Sequence, residues 1–403
     1  MNHARLLILT LLLGCAQNIS AAPPTITNVY ASQRAGTKLI DVTYHLSDPD
    51  SGSLTVQVEF SANSGITYDL PVHSLSGSVG AGVAPGNSRV LTWNAGVDWN
   101  GNWSDKCKVR LWAHDGSTPV PPLGMVYIPN GTFLMGPDPG VEVTLTHSYF
   151  MDRTEVSAEL WNAVRTWASV NGYTDIVTGA YRASGHPIQT VNWYDCVKWC
   201  NARSEKEGLT PCYYSDDAQT TVYRTGNLDI SATKVKWTAS GYRLPTEAEW
   251  ERAARGGLYR KVYPWGDLID GSMANFSGSG DPFESGGVPS TPVGYYDGNQ
   301  TPIGGNSING YGLQDVAGNL REWCWDWEGN LVIGNDPTGP STGSTRSLRG
   351  GSWIDGYGGL SCATRSGSPA ADTRLVVRTF YPPTYSYFTS YYEVFGVRSI
   401  RRL

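Results

Sequence analysis

The sequence predicts an α+β protein in two parts, an N-terminal β-sandwich followed by a loop-rich domain with few helices. Three observations lead there. Over residues 24–116, short runs of alternating apolar and polar residues are separated by turn clusters, as half-buried strands require. A proline-rich stretch, STPVPP at residues 117–122, then interrupts the pattern and reads as a stiff linker. Beyond it, over residues 123–403, only three segments carry helical signals. The chain as a whole holds 47 glycines, 15 tryptophans and 23 tyrosines. Such a composition suits irregular backbone held by large side chains.

Residues 1–21 read as an export signal. Arg5 supplies the positive charge, residues 6–13 are apolar apart from Thr10, and small residues follow. Two processing readings stand. Residues 19–21 (ISA) suit cleavage before Ala22, whereas LLGC at residues 12–15 resembles a bacterial lipobox that would leave Cys15 as a lipid anchor. Either places the chain outside the cytoplasm, as a periplasmic, outer-membrane lipoprotein or extracellular protein. No later apolar run approaches the roughly 20 residues of a membrane-spanning helix.

Strands are expected at residues 38–44 (KLIDVTY), 54–60 (LTVQVEF), 89–93 (RVLTW) and 107–113 (CKVRLWA), with turns at 48–52 (DPDSG) and 85–88 (PGNS). Asp48 and Asp50 either cap a solvated turn or hold calcium at the edge of the module. The second part opens with a strand at 125–128 and a turn at 129–131. Helices are expected at 157–169, 193–207 and 246–255. The last has a capping box from Thr246 and Glu249, and Gly256-Gly257 end it. From residue 257 onward loops and short strands dominate, and so long an irregular stretch needs fastening by buried aromatics, ions or disulfides.

Net charge is −6 and charged residues make up 16% of the chain, which gives no reason to expect nucleic acid as a partner. The seven cysteines are Cys15, Cys107, Cys196, Cys200, Cys212, Cys324 and Cys362, with no CxxC pair; without Cys15 six remain, an even number compatible with disulfides, and one buried thiol with at most one disulfide is expected. The six histidines (His3, His45, His73, His114, His147, His186) are scattered without metal-ligand spacing. One string stands apart. GLQDVAGNLREW at residues 312–323 sets Asp315 and Glu322 around the flexible pair Ala317-Gly318, the mix of carboxylates and bendable backbone that calcium prefers. The competing reading is that both acids cap turns and pair with arginines such as Arg321.

Eight segments in order resemble the formylglycine-generating enzyme, or sulfatase-modifying factor, family. They are GMVYIPNGTFLMG (124–136), RTEVSAELWNAV (153–164), HPIQTVNWYDCVKWCN (186–201), GYRLPTEAEWERAARGG (241–257), YPWG (263–266), GLQDVAGNLREW, LRGGSW (348–353) and FGVR (395–398). The resemblance covers residues 124–403 and implies an α+β relative of the C-type lectin fold. Residues 24–116 in turn resemble immunoglobulin- or fibronectin-like modules. The family resemblance implies two calcium sites. One would use the Asp315 and Glu322 side chains with the Gly318 and Leu320 carbonyls; the other would use Asn275 and Asp281 side chains with the Phe276 and Phe283 carbonyls.

The same resemblance exposes a departure. Family enzymes bind copper through two cysteines just after the GGS motif, and those positions fall here on Asp355 and Leu360. No sulfur occurs in SWIDGYGGL at residues 352–360. Copper is bound by paired soft thiolates, so the sequence argues against copper and against a catalytic site of the family type. Cys362 looks like a structural cysteine whose usual partner position is Ala254. Ser399 stands where the usual mate of Cys200 would be, which leaves a Cys200–Cys362 bridge as a conceivable substitute. Iron-dependent relatives rely on a histidine-rich helical domain that this chain lacks.

Residues 379–392 (TFYPPTYSYFTSYY) carry five tyrosines just before the terminal FGVR. Lectin-like members of the fold display variable ligand contacts at that place. Tyr385, Tyr387 and Tyr391, with Arg365, are therefore candidates for a recognition groove, against the alternative that these aromatics only pack the domain. The reading that results is a calcium-stabilised binding or structural scaffold for a protein or glycan ligand. Its alternative is a divergent formylglycine-generating oxidase acting on a sulfatase cysteine, with Cys362, Asp355 and Arg365 at its site.

Overall fold

The structure is a computed structural model that describes residues 24–62, 70–116, 119–284, 290–373, 375–381, 386–392 and 394–403. The chain divides into two compact units, Met1–Thr118 and Pro119–Leu403. Residues 1–23, including Cys15, and Tyr385 lie outside the described residues.

The first unit holds strands β1 (Thr25–Gln33), β2 (Leu39–Ser47), β3 (Leu54–Ser61), β4 (Leu75–Gly77), β5 (Gly80–Val83), β6 (Gly86–Asn94) and β7 (Lys108–His114), with a single helical turn α1 (Ala95–Asp98). Two sheets form, ordered β1-β2-β6-β4 and β5-β3-β7. The alternation in β2 and β3 sends Val42, Tyr44, Leu46, Leu54, Val56, Val58 and Phe60 into one shared apolar cluster. Phe60 stacks on Trp93 of β6 at 4.4 Å between centroids. The four expected strands are present, each shifted by a residue or a few at its ends. The sequence missed β1, whose residues are almost all exposed, so that no alternation marks it. At the β2–β3 turn the Asp48 carboxylate accepts from the amides of Asp50 and Ser51, and oxygens of Asp48, Asp50 and Asp115 lie within 4.8 Å of one another.

The second unit begins with β8 (Met125–Ile128), β9 (Gly131–Met135), β10 (Val141–Leu145) and β11 (Tyr149–Asp152), followed by helices α2 (Ala158–Ser169) and α3 (Trp193–Lys206). Strand β12 (Tyr242–Arg243), helix α4 (Glu247–Arg255), β13 (Arg321–Trp327), β14 (Gly334–Asn335), β15 (Arg346–Arg349) and β16 (Ser366–Ser368) come next. A hairpin of β17 (Leu375–Tyr381) and β18 (Ser386–Tyr392) precedes β19 (Phe395–Gly396) and β20 (Ile400–Arg402). The sheets are ordered β14-β10-β9, β12-β20-β11-β8, β16-β15-β13-β19 and β17-β18. The C-terminus thus closes the unit twice. Strand β19 lies parallel to β13, and β20 slots between β11 and β12.

All three expected helices are present. In α2 the Ser157 hydroxyl caps the Leu160 amide, and in α4 Thr246 and Glu249 form the expected capping box before Gly256 turns left-handed at φ 55°. Helix α3 also has a capping box, from Asn192 and Asp195. It is buried along most of its length because α2 covers it, with Trp161 stacked on Trp199 at 5.3 Å. Beneath it, the Arg346 guanidinium lies 3.8 Å from the centroid of Trp193 and 3.5 Å from that of Trp327. These aromatics do much of the fastening that the irregular C-terminal half requires.

The cysteines do not. Cys107 is exposed and Cys196, Cys200, Cys212, Cys324 and Cys362 are buried, all as free thiols. A Cys200–Cys362 bridge does not form, because the two residues belong to different core clusters. Near Cys200, Ser399 works through its hydroxyl: it donates to Asp152 at 2.7 Å and accepts from Arg203 at 3.0 Å.

Candidate functional site

Asp315 and Glu322 flank a tight bend entered at Asp315 itself, which has φ +54°, and continued by Gly318 at +86° and Asn319 at +59°. Glycine is obligatory at 318, since a Cβ there would lie 2.1 Å from the Asn275 carbonyl oxygen. The close approach zips two loops together: the Asn319 amide donates to the Asn275 carbonyl at 2.9 Å, and the Asn275 side chain donates to the Asn319 side chain at 3.3 Å. The two residue sets expected to bind calcium are therefore neighbours.

Asp315 is buried, its Oδ2 accepts from the Gly294 amide, and its Oδ1 is buried with no hydrogen-bond partner. Burial pushes this carboxyl up to about 6, with Glu322 adding to the effect. Glu155, from the RTEV segment, sits in the same cluster and accepts from the Leu320 amide at 3.0 Å and the Asn319 side chain at 2.9 Å. Its carboxyl is raised well above the usual range by burial and then by Asp315 and Glu322. Three buried acids thus surround one guanidinium, that of Arg398. An unsatisfied carboxylate oxygen in an excess of negative charge is what a hard cation would neutralise, so the donor set fits calcium at Asp315.

Glu322 is otherwise engaged. Arg398 donates to it from Nε at 3.0 Å and Nη2 at 2.8 Å, and the Trp250 indole donates at 2.6 Å. The pairing expectation named Arg321; the partner is Arg398, and Arg321 instead clasps Asp355 through Nε at 3.0 Å and Nη2 at 2.6 Å. In the second set, the Asp281 carboxylate accepts from the Phe283 amide at 2.7 Å and the Ser279 hydroxyl at 2.6 Å. The Phe276 carbonyl accepts from the Ser279 amide at 3.0 Å, and the Phe283 carbonyl accepts from Arg182 at 2.5 Å.

His186 packs edge-on to Phe283 at 5.4 Å and shares a 3.1 Å hydrogen bond with Ser290. Burial, then the Arg182 charge, lowers its imidazole to about 4. The unfolded imidazole titrates near about 6.5 and so takes up the proton first on acidification. The stabilisation from a neutral His186 is fully present above about pH 6.5 and is lost as pH falls toward about 4. Urea denaturation across that window should show stability falling more steeply in the parent chain than in His186→Gln; parallel profiles would remove His186 as the cause.

At the positions where the resemblance would put copper-binding thiols, the side chains are spoken for. Asp355 accepts, besides the Arg321 clasp, from the Ser352 amide at 2.9 Å and hydroxyl at 2.8 Å. Leu360 is buried in a cluster with Tyr263, Ala274, Phe276 and Ala317. Cys362 is buried too, and burial pushes its thiol up to about 12, which disfavours the thiolate a soft metal needs. Arg365 is tied to Glu247 at 2.8 and 2.5 Å and to the Gly329 carbonyl at 2.7 Å. Tyr387 and Tyr391 lie on β18, in register with Phe380 and Val376 of β17.

Residues 114–376 match the sulfatase-modifying factor enzyme 1-like domain. The chain belongs to that family. Within this sulfatase-modifying factor family, a relative named Chaperone protein LppX from Paenibacillus barcinonensis is 35% identical over 209 residues, covering 47% of this chain and 66% of that one. A formylglycine-generating enzyme from Thermomonospora curvata is 32% identical over 266 residues, 57% of this chain and 82% of that one. Among solved structures, Treponema denticola variable protein 1 aligns with a TM-score of 0.50 and 27% identity, over 69% of this chain and 95% of its own. Residues beyond 376 lie outside the family match, yet β19 and β20 complete two sheets of the domain. No helix among the described residues is long and apolar enough to cross a membrane.

Proposed function

We propose that this sulfatase-modifying factor domain is a calcium-stabilised recognition scaffold, exported from a bacterial cell, that has given up the copper chemistry of its enzymatic relatives. The observation that carries the reading is the Asp355 clasp: Arg321 and Ser352 bind this carboxylate, at the position to which the family resemblance would assign the first thiolate. Asp315, with its unpartnered buried oxygen, supports calcium at the first loop. Its companions there would be the Gly318 and Leu320 carbonyls, with Glu322 as an outer carboxylate. Asn275, Phe276, Asp281 and Phe283 are proposed for a second site.

The recognition element is the hairpin of residues 375–392, with Tyr385, Tyr387 and Tyr391 as contacts and a protein or glycan as ligand. A relative named as a chaperone and a structural neighbour named as a variable protein agree with a family domain that serves purposes other than oxidation. The core of the domain is read as C-type lectin-like. The first unit is read as an immunoglobulin- or fibronectin-like sandwich that spaces the domain from its anchor or from a neighbour.

One experiment addresses metal and chemistry together. Calcium at a hundredfold above its dissociation constant stabilises a site by about 2.7 kcal/mol. The full chain is therefore expected to melt several degrees higher in calcium than in chelator, and Asp315→Asn should abolish that difference. Cu(I) titration should find no tight site. Tight Cu(I) binding together with oxygen uptake on a cysteine peptide would instead establish the divergent oxidase.

A further inference from the structure

A half-open cavity of about 380 Å³ borders the first unit's β4 and β6, but the smaller one in the second unit carries more chemistry. It measures about 260 Å³ and lies between the end of β10, the start of α4 and the last strand, β20. Leu145 and Trp237 form apolar walls, and Thr246, Thr338 and Arg402 supply polar edges. The remaining lining groups, His147, Arg243, Glu249 and Asp336, are engaged with one another or with neighbouring residues, save that His147 Nδ1 is buried with no hydrogen-bond partner. Glu249 accepts from Arg243 at 2.6 and 2.7 Å, from the Thr246 amide at 2.8 Å and from His147 at 3.1 Å. Asp336 accepts from the Thr146 amide at 2.8 Å and from its hydroxyl, and its Oδ1 lies 3.2 Å from His147 Nδ1. Arg243 also rests on the Trp237 ring, 5.1 Å from its centroid.

What is left over is one cation and two hydroxyls. Among the described residues, the Arg402 guanidinium makes one hydrogen bond, to the Trp237 carbonyl at 3.3 Å, and has no carboxylate partner. The Thr246 hydroxyl accepts from the Glu249 amide at 3.2 Å, which leaves its own proton to give. Among the described residues the Thr338 hydroxyl has no hydrogen-bond partner, and it can donate as well as accept. His147 Nδ1 is buried against Asp336 with no hydrogen-bond partner, so the groups the cavity offers a ligand are the Arg402 cation and two hydroxyls, and the cation selects a ligand that accepts. One unpaired cation beside two carboxylates selects a single negative charge, because a second would face Glu249 and Asp336 without compensation. A cavity of about 150 Å³ holds benzene, so this one has room for a ring and a carboxylate.

We infer that the cavity between α4 and β20 is a binding site for a small monocarboxylate with one flat apolar body, its carboxylate on Arg402 and its body between Leu145 and Trp237. The site is separate from the calcium loops and from the tyrosine hairpin, so it stands or falls independently of them.

The test uses the full chain with benzoate, the neutral isostere benzamide and the dianion phenyl phosphate, followed by calorimetry and ligand-observed NMR. Benzoate is expected to saturate at one equivalent, with benzamide and phenyl phosphate each weaker. Losing a charge-assisted hydrogen bond costs tenfold or more, about 1.5–3 kcal/mol, so Arg402→Gln should weaken benzoate by at least that factor. Thr338→Phe, which narrows the cavity without touching the charge, should weaken benzoate and benzamide alike. Circular dichroism confirms that both variants fold. Absence of saturable binding at millimolar benzoate, equal affinity for benzamide, tighter phenyl phosphate binding, or unchanged affinity in both folded variants would each overturn the assignment.

Discussion

Glu251→Gln is expected to destabilise the second unit by about 3–5 kcal/mol, the cost of leaving a buried charge without its partner. Glu251 and Arg349 are both fully buried, 0% exposed, and joined at 2.6 Å. The same carboxylate takes two bonds from Arg255, at 3.0 and 2.6 Å, and one from the Gly136 amide at 2.7 Å. One acid therefore ties the middle of α4 to β15 and to the end of β9. Its amide would keep an acceptor for one arginine but remove the charge that two share. Arg349 would keep its bonds to the carbonyls of Thr364 and Cys362, at 2.9 and 2.8 Å, and the Trp250 ring 5.1 Å from its guanidinium, none of which carries a full negative charge. Urea denaturation measures the loss directly. A change under about 1 kcal/mol would mean that water reaches Arg349 and that the pair is not a dry contact.

Much of this framework was written in the sequence where local rules act, and little of it where distant residues meet. Strands β2 and β3 and the start of α4 follow from alternation, from Thr246 with Glu249, and from Gly256, all within a few residues of one another. The bend at Asp315 is equally local. Its chemistry is not, because Glu322 meets Arg398 across 76 positions and Glu155 meets Leu320 across 165. No periodicity links such pairs, so Arg321 was the natural partner to name for Glu322 and Arg398 is the actual one. Asp355 is a case in between: the absence of sulfur was plain from the sequence, but the clasp by Arg321 and Ser352 appears only when β13 and the loop after β15 are brought together. Arg365 was assigned to a groove from its position alone, and its bidentate tie to Glu247 of α4 comes from residues 118 apart.

The second large effect separates two roles for Glu322. As the partner of Arg398, both 1% exposed or less, it holds the terminal FGVR segment against the bend that carries Asp315. In that role Glu322→Gln should cost about 3–5 kcal/mol whether calcium is present or chelated. Arg398→Met should cost at least as much, since it strands Glu322 beside Glu155 and Asp315. The double variant removes both charges, so its cost should fall below the sum of the singles by about 2–3 kcal/mol. Were Glu322 instead mainly a calcium ligand, the single substitution would be mild in chelator, severe in calcium, and nearly additive with Arg398→Met. The Trp250 indole, which donates to Glu322 at 2.6 Å, can donate to glutamine as well, so its loss does not confuse the cycle. Measuring the four proteins with and without calcium therefore assigns the acid. A coupling that persists in chelator places Glu322 with Arg398, and leaves Asp315 as the carboxylate free to meet the ion.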